Sequence, residues 1–218
     1  MFANLSLSIS QLMPLPLRER LAGRESDVWN REIDLQQGEQ IFIQAPSGTG
    51  KTTLIHCLYG LRKDYEGSVK WDGILAAKMD AEQWSALRQT HVSIVFQDMR
   101  LFPTLTAWEN LEAKRLLTNH VAQEEVRSWM ELLGITDRAD KLGSTLSYGE
   151  QQRVAIIRAL LQPFNWLLMD EPFSHLDAAN IKKAASLIAA QVKRNDASFL
   201  LADLDDNNHF SYTKKLCL

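Results

Sequence analysis

A run rich in glycine and hydroxyl residues lies between an apolar segment and a helix-like segment. Glycine reaches backbone angles that a β-carbon forbids, so such a turn can direct several N–H groups at one anion. The run therefore predicts a phosphate-binding turn between a strand and a helix. Its residues are Ala45, Pro46, Ser47, Gly48, Thr49, Gly50, Lys51 and Thr52, and Thr53 continues into the helix-like segment.

Two residues at the end of this run suit the outer charges of a phosphate chain. The positive end of the following helix favours an anion, Lys51 adds a full charge, and the Thr52 hydroxyl can ligate Mg²⁺. A nucleoside triphosphate with magnesium is therefore the implied ligand. An ordinary glycine-rich loop is the alternative, and the flanking strand and helix patterns disfavour it.

Ala45 departs from the P-loop pattern G-x-x-x-x-G-K-[ST], which begins with glycine. Alanine tolerates a tight turn only where its φ is negative. We therefore expect the turn to form with a small adjustment.

Two further apolar segments end in polar side chains that could act on this ligand. One ends in Gln97, and the other ends in Asp170 and Glu171. Buried parallel strands have this composition, and ligands bind where such strands end. An Asp facing Mg²⁺ and a Glu that polarises a water fit hydrolysis. Alone, Gln97 would be interpreted as a surface residue, and Asp170 with Glu171 as a solvated turn. Because they follow the phosphate-binding turn in this order, a functional role is favoured.

A second helix start suits an anion. Ser147 and Glu150 have the spacing of a capping box, so a helix is predicted to begin there. Gly149 leaves the N–H groups of this helix start accessible. An ordinary capped helix is the alternative, and it would be preferred if the octapeptide 146–153 stood alone.

The composition is that of an ordinary globular protein. The 218 residues are 45% hydrophobic and 23% charged with a net charge of −3, which indicates neither a basic nucleic-acid groove nor a polybasic lipid-binding segment. Cys57 and Cys217 imply no disulfide framework and fit a reducing compartment. No apolar run approaches the roughly 18 to 20 residues that span a bilayer, so we expect another chain to provide any membrane anchor.

Apolar and polar residues alternate before the phosphate-binding turn. The alternation covers residues 1–10 and again 33–35, and it is typical of strands and not of a signal peptide. It predicts an antiparallel arm that ends in the strand leading into the turn. Residues 14–20 interrupt the pattern as a loop or short helix. Helical patterns follow at 106–117, with a capping box, and at 123–133, which stops at Gly134.

Together these motifs resemble the nucleotide-binding subunits of ABC transporters over about residues 33–204. The matching segments are the P-loop at 45–52, the Q-loop glutamine Gln97, the signature motif at 146–153, the Walker B pair Asp170 and Glu171, and the D-loop at 174–177. The signature motif makes the resemblance specific to ABC ATPases, and residues 87–111 look like the lipoprotein-release, macrolide-export and cell-division branch.

The resemblance implies an α/β fold of the P-loop NTPase (RecA-like) class. We expect a mixed sheet, an antiparallel N-terminal arm and an inserted α-helical subdomain. The ATP-binding core would comprise 1–97 and 161–218, and residues 98–160 would form the helical subdomain that carries the signature motif.

The resemblance also implies that two subunits pack head to tail around two ATP molecules. The P-loop of one subunit and Ser147 and Gly149 of the other would hold each ATP. Catalysis would involve Glu171, Gln97 and Lys51, and the Mg²⁺ ligands would be Thr52, Gln97 and Asp170. The second ABC ATPase subunit is expected to be a copy of this chain, although the sequence leaves a heterodimer open.

The other implied partner is an integral membrane permease subunit, and no nucleic acid is expected. The protein would be cytoplasmic, held at the inner face of the membrane through this partner. Four apolar residues either line the groove that receives it or belong to the core, and the sequence favours neither: Phe96, Met99, Leu101 and Phe102. A soluble ABC ATPase of DNA repair or translation, and an ATP-binding clamp without turnover, are the alternatives.

Several positions depart from the family pattern. Asp203 stands where a histidine usually hydrogen-bonds the γ-phosphate; an ionised carboxylate cannot donate and would be repelled. His209 could replace it only if the local loop folds back. No aromatic residue between Phe2 and Trp29 could stack on adenine, Trp29 is a poorly spaced substitute, and Tyr148 replaces the first signature glycine. These departures predict slow or partner-dependent hydrolysis.

Overall fold

The computed structural model describes residues 5–218 and contains two sheets with helices packed on them. In chain order the strands are β1 (Leu7–Pro14), β2 (Glu32–Leu35), β3 (Gln40–Gln44), β4 (Tyr65–Trp71), β5 (Ile74–Leu75), β6 (Val92–Val95), β7 (Trp166–Asp170), β8 (Ser198–Asp203) and β9 (Lys214–Cys217). The helices are α1 (Arg18–Leu21), α2 (Lys51–Leu58), α3 (Ala81–Thr90), α4 (Ala107–Arg115), α5 (Gln123–Leu132), α6 (Tyr148–Leu160) and α7 (Ala178–Arg194).

A five-stranded parallel sheet with the order β6-β7-β8-β3-β9 carries the predicted site. Its central strands are apolar because the sheet is covered on both faces, and β6 and β7 are buried along their whole length. Val95 pairs with Met169, Asp170 with Ala202, and Gln44 with Asp203. The segments that follow β3, β6, β7 and β8 therefore meet at one edge of the sheet.

The predicted antiparallel arm is confirmed, but one of its strands was assigned wrongly. The four strands β2-β1-β4-β5 form a separate antiparallel sheet, in which Leu7 pairs with Leu35 on one side and Trp71 on the other. β3 is not part of it and pairs with β8 and β9 instead. The physical reason is burial: β2 alternates exposed and buried residues, whereas residues 41–43 are all buried.

The first strand also differs from its predicted bounds. β1 begins at Leu7 and continues to Pro14, with a register shift between Ser10 and Met13. Residues 1–4 of the predicted segment lie outside the described residues. After β1 the chain forms one 3₁₀ turn and the short helix α1, as the interruption at 14–20 predicted, and Arg18 of α1 pairs with Glu66.

Alternate residues of the parallel strands divide the core into two layers. Ile41 and Ile43 face the antiparallel sheet and α2, whereas Phe42 faces the helical side with α4 to α7. In the first layer, Trp71 and Trp166 pack edge to face with their ring centroids 5.9 Å apart. The parallel sheet is therefore buried between two apolar layers, which holds its carboxyl edge in place.

The predicted helices of the middle segment are present. Capping boxes start α4 at Thr106 and α6 at Ser147, and Gly134 adopts a positive φ of 64° just after α5. α4 ends at Arg115, two residues before the predicted Leu117. Because α6 packs on β6 and α7 as well as on α4 and α5, the division into a core and a helical subdomain stays a prediction.

No helix within residues 5–218 combines the length and apolar character needed to cross a bilayer. Both cysteines are free; Cys57 is buried on α2 and Cys217 is exposed on β9.

Candidate functional site

The glycine-rich run forms a turn between β3 and α2 that wraps around the side chain of Lys51. Gly48 and Gly50 have positive φ values of 79° and 104°, so a β-carbon would strain the turn at either position. Ala45 keeps a negative φ, as predicted for a turn without glycine at its start. The Lys51 ammonium donates to the carbonyl oxygen of Ala45 at 2.8 Å, which fixes the cation inside the turn.

Lys51 also contacts Glu171, one of the two predicted acidic residues. Its Nζ lies 3.3 Å from Oε1 of Glu171, and both side chains are nearly buried, with exposed fractions of 6% and 10%. Glu171 follows the last residue of β7 and has an unusual positive φ of 45°, and its side chain lines the cavity over the turn. Three-dimensional folding thus brings together two opposite charges that are 120 positions apart in the sequence.

The other predicted magnesium ligands lie around Thr52. The Thr52 hydroxyl donates to Oε1 of Gln97 at 3.0 Å, which places the residue after β6 against the start of α2. Asp170 is only 1% exposed, and its Oδ1 has no hydrogen-bond partner within residues 5–218. Burial raises the pKa of Asp170 to about 6, and the neighbouring Thr52 hydroxyl opposes the rise.

These donors are suited to a hard divalent cation. A buried carboxylate oxygen without a partner gains most from a cation, and a hydroxyl and an amide oxygen are further ligands of the kind Mg²⁺ accepts. The residues present therefore fit magnesium between Thr52, Gln97 and Asp170.

An open cavity of about 290 Å³ lies over the turn, and eight of the expected site residues line it. Ala45 and Thr49 are buried behind the turn, where the Thr49 hydroxyl donates to the carbonyl oxygen of Pro46 at 2.8 Å. The lining residues are Leu17, Arg20, Ser47, Gly48, Gly50, Lys51, Thr52, Thr53, Gln97 and Glu171.

The second predicted anion site is elsewhere on the chain. Ser147 and Gly149 do not line the cavity, and Ser147 is exposed at the start of α6. Gly149 packs closely within its own subunit, because a β-carbon there would lie 2.8 Å from the carbonyl oxygen of His175. The two helix starts that the sequence predicts to bind anions therefore lie in separate places on a single chain.

One buried residue of the signature segment was given no role by the sequence analysis. Gln152 is fully buried, its Nε2 donates to the carbonyl oxygen of Glu171, and its Oε1 accepts from the backbone N–H of His175, both at 3.0 Å. The available signal was a polar side chain on the apolar face of α6, since buried amides require partners.

The positions that depart from the family pattern have clear surroundings. Asp203 lies at the end of β8, its Oδ1 accepts from the N–H of Leu204 at 2.7 Å, and burial raises its pKa. His209 packs on Phe173 with ring centroids 5.3 Å apart and lines a groove beside α7, not the cavity. Trp29 is buried and donates to the carbonyl oxygen of Thr49, so it offers no open face for a base.

Comparison with known families decides what this arrangement belongs to. Residues 29–174 match the model of the ABC transporter family, which spans the phosphate-binding turn, the signature segment and the acidic pair. The chain belongs to the ABC transporter ATP-binding family. As a member it is an ATP-binding subunit and an ATPase, and the predicted P-loop fold and family resemblance are confirmed.

Curated ABC relatives share about a third of their residues with this chain. An uncharacterized ABC transporter ATP-binding protein, YbbA of Escherichia coli strain K12, is 36% identical over 80% of this chain and 78% of its own length. The lipoprotein-releasing system ATP-binding protein LolD of Bacteroides thetaiotaomicron is 34% identical over 80% of this chain and 82% of its own. An aliphatic sulfonates import ATP-binding protein, SsuB of Bacillus cereus, is 34% identical over 84% and 70%.

Solved ABC structures share the fold. The dimeric structure of the bacterial ABC transporter cassette MJ0796 has a TM-score of 0.75 and 28% identity, covering 91% of this chain and 88% of its own. A second structure of that cassette, described as a post-hydrolysis state bound to ADP and Pi, has a TM-score of 0.73, also with 28% identity, covering 92% and 88%.

Proposed function

We propose that this ABC subunit binds Mg–ATP in the cavity beside Lys51 and hydrolyses it as a head-to-tail dimer that drives a separate membrane permease. The observation that carries the proposal is the 3.3 Å approach of Lys51 to Glu171, next to Oδ1 of Asp170, which has no hydrogen-bond partner among residues 5–218. These groups are the cation, the base and the metal ligand that hydrolysis of a triphosphate needs.

Each residue of the site has a role that follows from its position. The N–H groups of residues 47, 48 and 50–53 and the Lys51 ammonium bind the phosphates, and Thr52, Gln97 and Asp170 hold Mg²⁺. When present, the metal neutralises phosphate charge and orients the phosphate chain. A bound phosphate attracts Lys51 away from Glu171, and Glu171 is then free to accept a proton from the attacking water.

Dimerisation follows from the separation of the two helix starts. Ser147 and Gly149 lie outside the cavity of their own chain, so they meet a nucleotide only if a second subunit presents its cavity to them. The similarity to a cassette described as dimeric supports this arrangement. ATP then stabilises the dimer, and loss of the γ-phosphate removes contacts that only the dimer makes.

An apolar groove of about 390 Å³ supports docking of the permease next to Gln97. Phe96 and Phe102 line it, and Phe102 is 56% exposed, whereas Met99 is buried in the core. The permease would hold the subunit at the inner face of the membrane. Relatives named for lipoprotein release and for sulfonate import are equally similar, so the proposal leaves the cargo open.

The Glu171→Gln variant tests the dimer. It keeps the shape of the side chain and removes the base, so ATP should remain bound and the protein should elute as a dimer on size exclusion with Mg–ATP. Lys51→Ala in the same buffer is the matched control and should stay monomeric. A Glu171→Gln protein that remains monomeric at saturating ATP contradicts the dimer.

Copurification of a multi-span protein from detergent-solubilised membranes, identified by mass spectrometry, tests the permease.

A clamp that binds ATP and turns it over only weakly is the second candidate, and Asp203 favours it. Its carboxylate faces the same sheet edge as Glu171, and the proximity of Glu171 adds to the rise of its pKa. A phosphate-release assay distinguishes the clamp from the enzyme.

A further inference from the structure

The segment between β1 and β2 lies directly on the phosphate-binding turn. A β-carbon at Gly50 would lie 2.9 Å from Cδ1 of Leu17 and 3.0 Å from Cζ2 of Trp29. The Trp29 indole N–H donates to the carbonyl oxygen of Thr49 at 3.1 Å. Residues 15–31 are therefore packed on the turn by both apolar and polar contacts.

Arg20 extends from this segment into the nucleotide cavity. Its guanidinium occupies the space directly above Gly48, where a β-carbon would overlap it, and Arg20 lines the cavity together with Lys51, Gln97 and Glu171. Gly48 belongs to the turn whose N–H groups point at the proposed phosphates. The guanidinium therefore sits beside the same anion.

The charge of Arg20 is unused within the part of the chain that the structure describes. Residues 5–218 offer it no hydrogen bond and no ion pair, whereas Arg18 on the same helix pairs with Glu66, and Arg31 donates to the carbonyl oxygen of Ser26 at 3.0 Å. Lys51, the other cation of the cavity, is already paired with Glu171. Arg20 is thus a free cation in a cavity suited to anions.

We infer that Arg20 binds the phosphate chain of the nucleotide, as a second cation supplied by residues 15–31. A guanidinium presents planar paired donors that match phosphate oxygens, and such charge-assisted hydrogen bonds are about twice as strong as neutral ones. The inference rests on the proposed nucleotide site and adds a ligand from outside the residues 45–53.

Binding constants of three variants test the role of Arg20. Arg20→Gln removes the charge, Arg20→Lys keeps it without the paired donors, and Arg18→Gln is the matched control on the same helix. Titration calorimetry with Mg–ATP and with inorganic tripolyphosphate separates phosphate contacts from base contacts. Arg20→Gln should raise the dissociation constant of both ligands roughly ten-fold or more, Arg20→Lys should raise it less, and Arg18→Gln should leave it unchanged.

Other outcomes overturn the inference in distinguishable ways. Unchanged binding by Arg20→Gln would mean that the guanidinium does not reach the phosphates, and tighter binding would mean that it blocks them. A loss of affinity for ATP with no loss for tripolyphosphate would assign Arg20 to the base or sugar. A native protein that binds no ATP would refute the proposed function itself. Melting temperatures without ligand confirm that each variant is folded.

Discussion

Gln152 and Glu171 are joined by a hydrogen bond from the buried amide of Gln152 to the backbone carbonyl oxygen of Glu171, 3.0 Å long. The same amide accepts the N–H of His175, so α6 and the segment after β7 are held as one unit. In the proposed dimer the start of α6 faces the nucleotide bound by the second subunit, while Glu171 acts on the nucleotide bound by its own subunit. Gln152 therefore links the two nucleotide sites of the dimer.

Gln152→Leu should destabilise the fold and slow hydrolysis. The substitution leaves the Glu171 carbonyl and the His175 N–H buried without partners, at a cost of about 1–3 kcal/mol for each group. Urea denaturation measures the loss, and the partly exposed neighbour Gln151→Leu is the control, with less than about 1 kcal/mol expected. Equal stability of the two variants would refute the structural importance of this amide.

Asp203→His should increase turnover. A histidine at the end of β8 can donate to a γ-phosphate, which the carboxylate cannot, and a positioned proton-handling group contributes about 10²- to 10⁴-fold in rate. Steady-state phosphate release by the purified protein measures the effect, with His209→Ala expected to match the native rate because His209 lies outside the cavity. Brisk native turnover without any partner protein would contradict the prediction.

The Glu150–Arg138 pair should make stability depend on acid pH. Hydrogen bonds from Arg138 and from Ser147 lower the pKa of Glu150 from 4.5 to about 2. Because the folded pKa is depressed, the stabilisation is present above the unfolded value of about 4.5 and is lost as pH falls through about 2. Exposure of Arg138 to solvent and salt screening keep the effect modest.

Denaturation midpoints of native protein and Glu150→Gln measure this effect. The gap between the two should be largest near neutral pH and should shrink steadily in acid. Glu131→Gln is the control, since Glu131 forms no ion pair or side-chain hydrogen bond in the described part of the chain and should show no such gap. A gap for Glu150→Gln that is independent of pH would exclude the charge of Glu150 as its cause.

Gly67→Ala should be more destabilising than Gly73→Ala. Both glycines have positive φ, 81° and 76°, so each substitution strains the backbone by about 1–2 kcal/mol. At Gly67 the new β-carbon would also overlap the backbone of Gln11, whereas Gly73 has open space. Urea denaturation compares the two variants, and equal losses would show that the β1–β4 sheet can adjust to a methyl group.

The sequence predicted those parts of the site that depend on local patterns. The phosphate-binding turn, the strand ends at Gln97 and Asp170, and the cap of α6 at Ser147 all have short-range signals, and the structure has these elements. The prediction that β3 belongs to the antiparallel arm was wrong, because the choice between the two sheets depends on whether both faces of the strand are buried. The contacts of Gln152 and Arg20 were missed because they join segments that are distant in the sequence.

The two cysteine thiols differ in exposure and reactivity, so the native chain has one natural site for attaching a dye. Cys57 is enclosed on α2, and burial raises its pKa to about 12, so very little reactive thiolate forms there. Cys217 lies at the surface on the last strand of the parallel sheet. A maleimide dye would consequently attach at one place per native subunit, and energy transfer between two such dyes would follow association of subunits without any engineered cysteine.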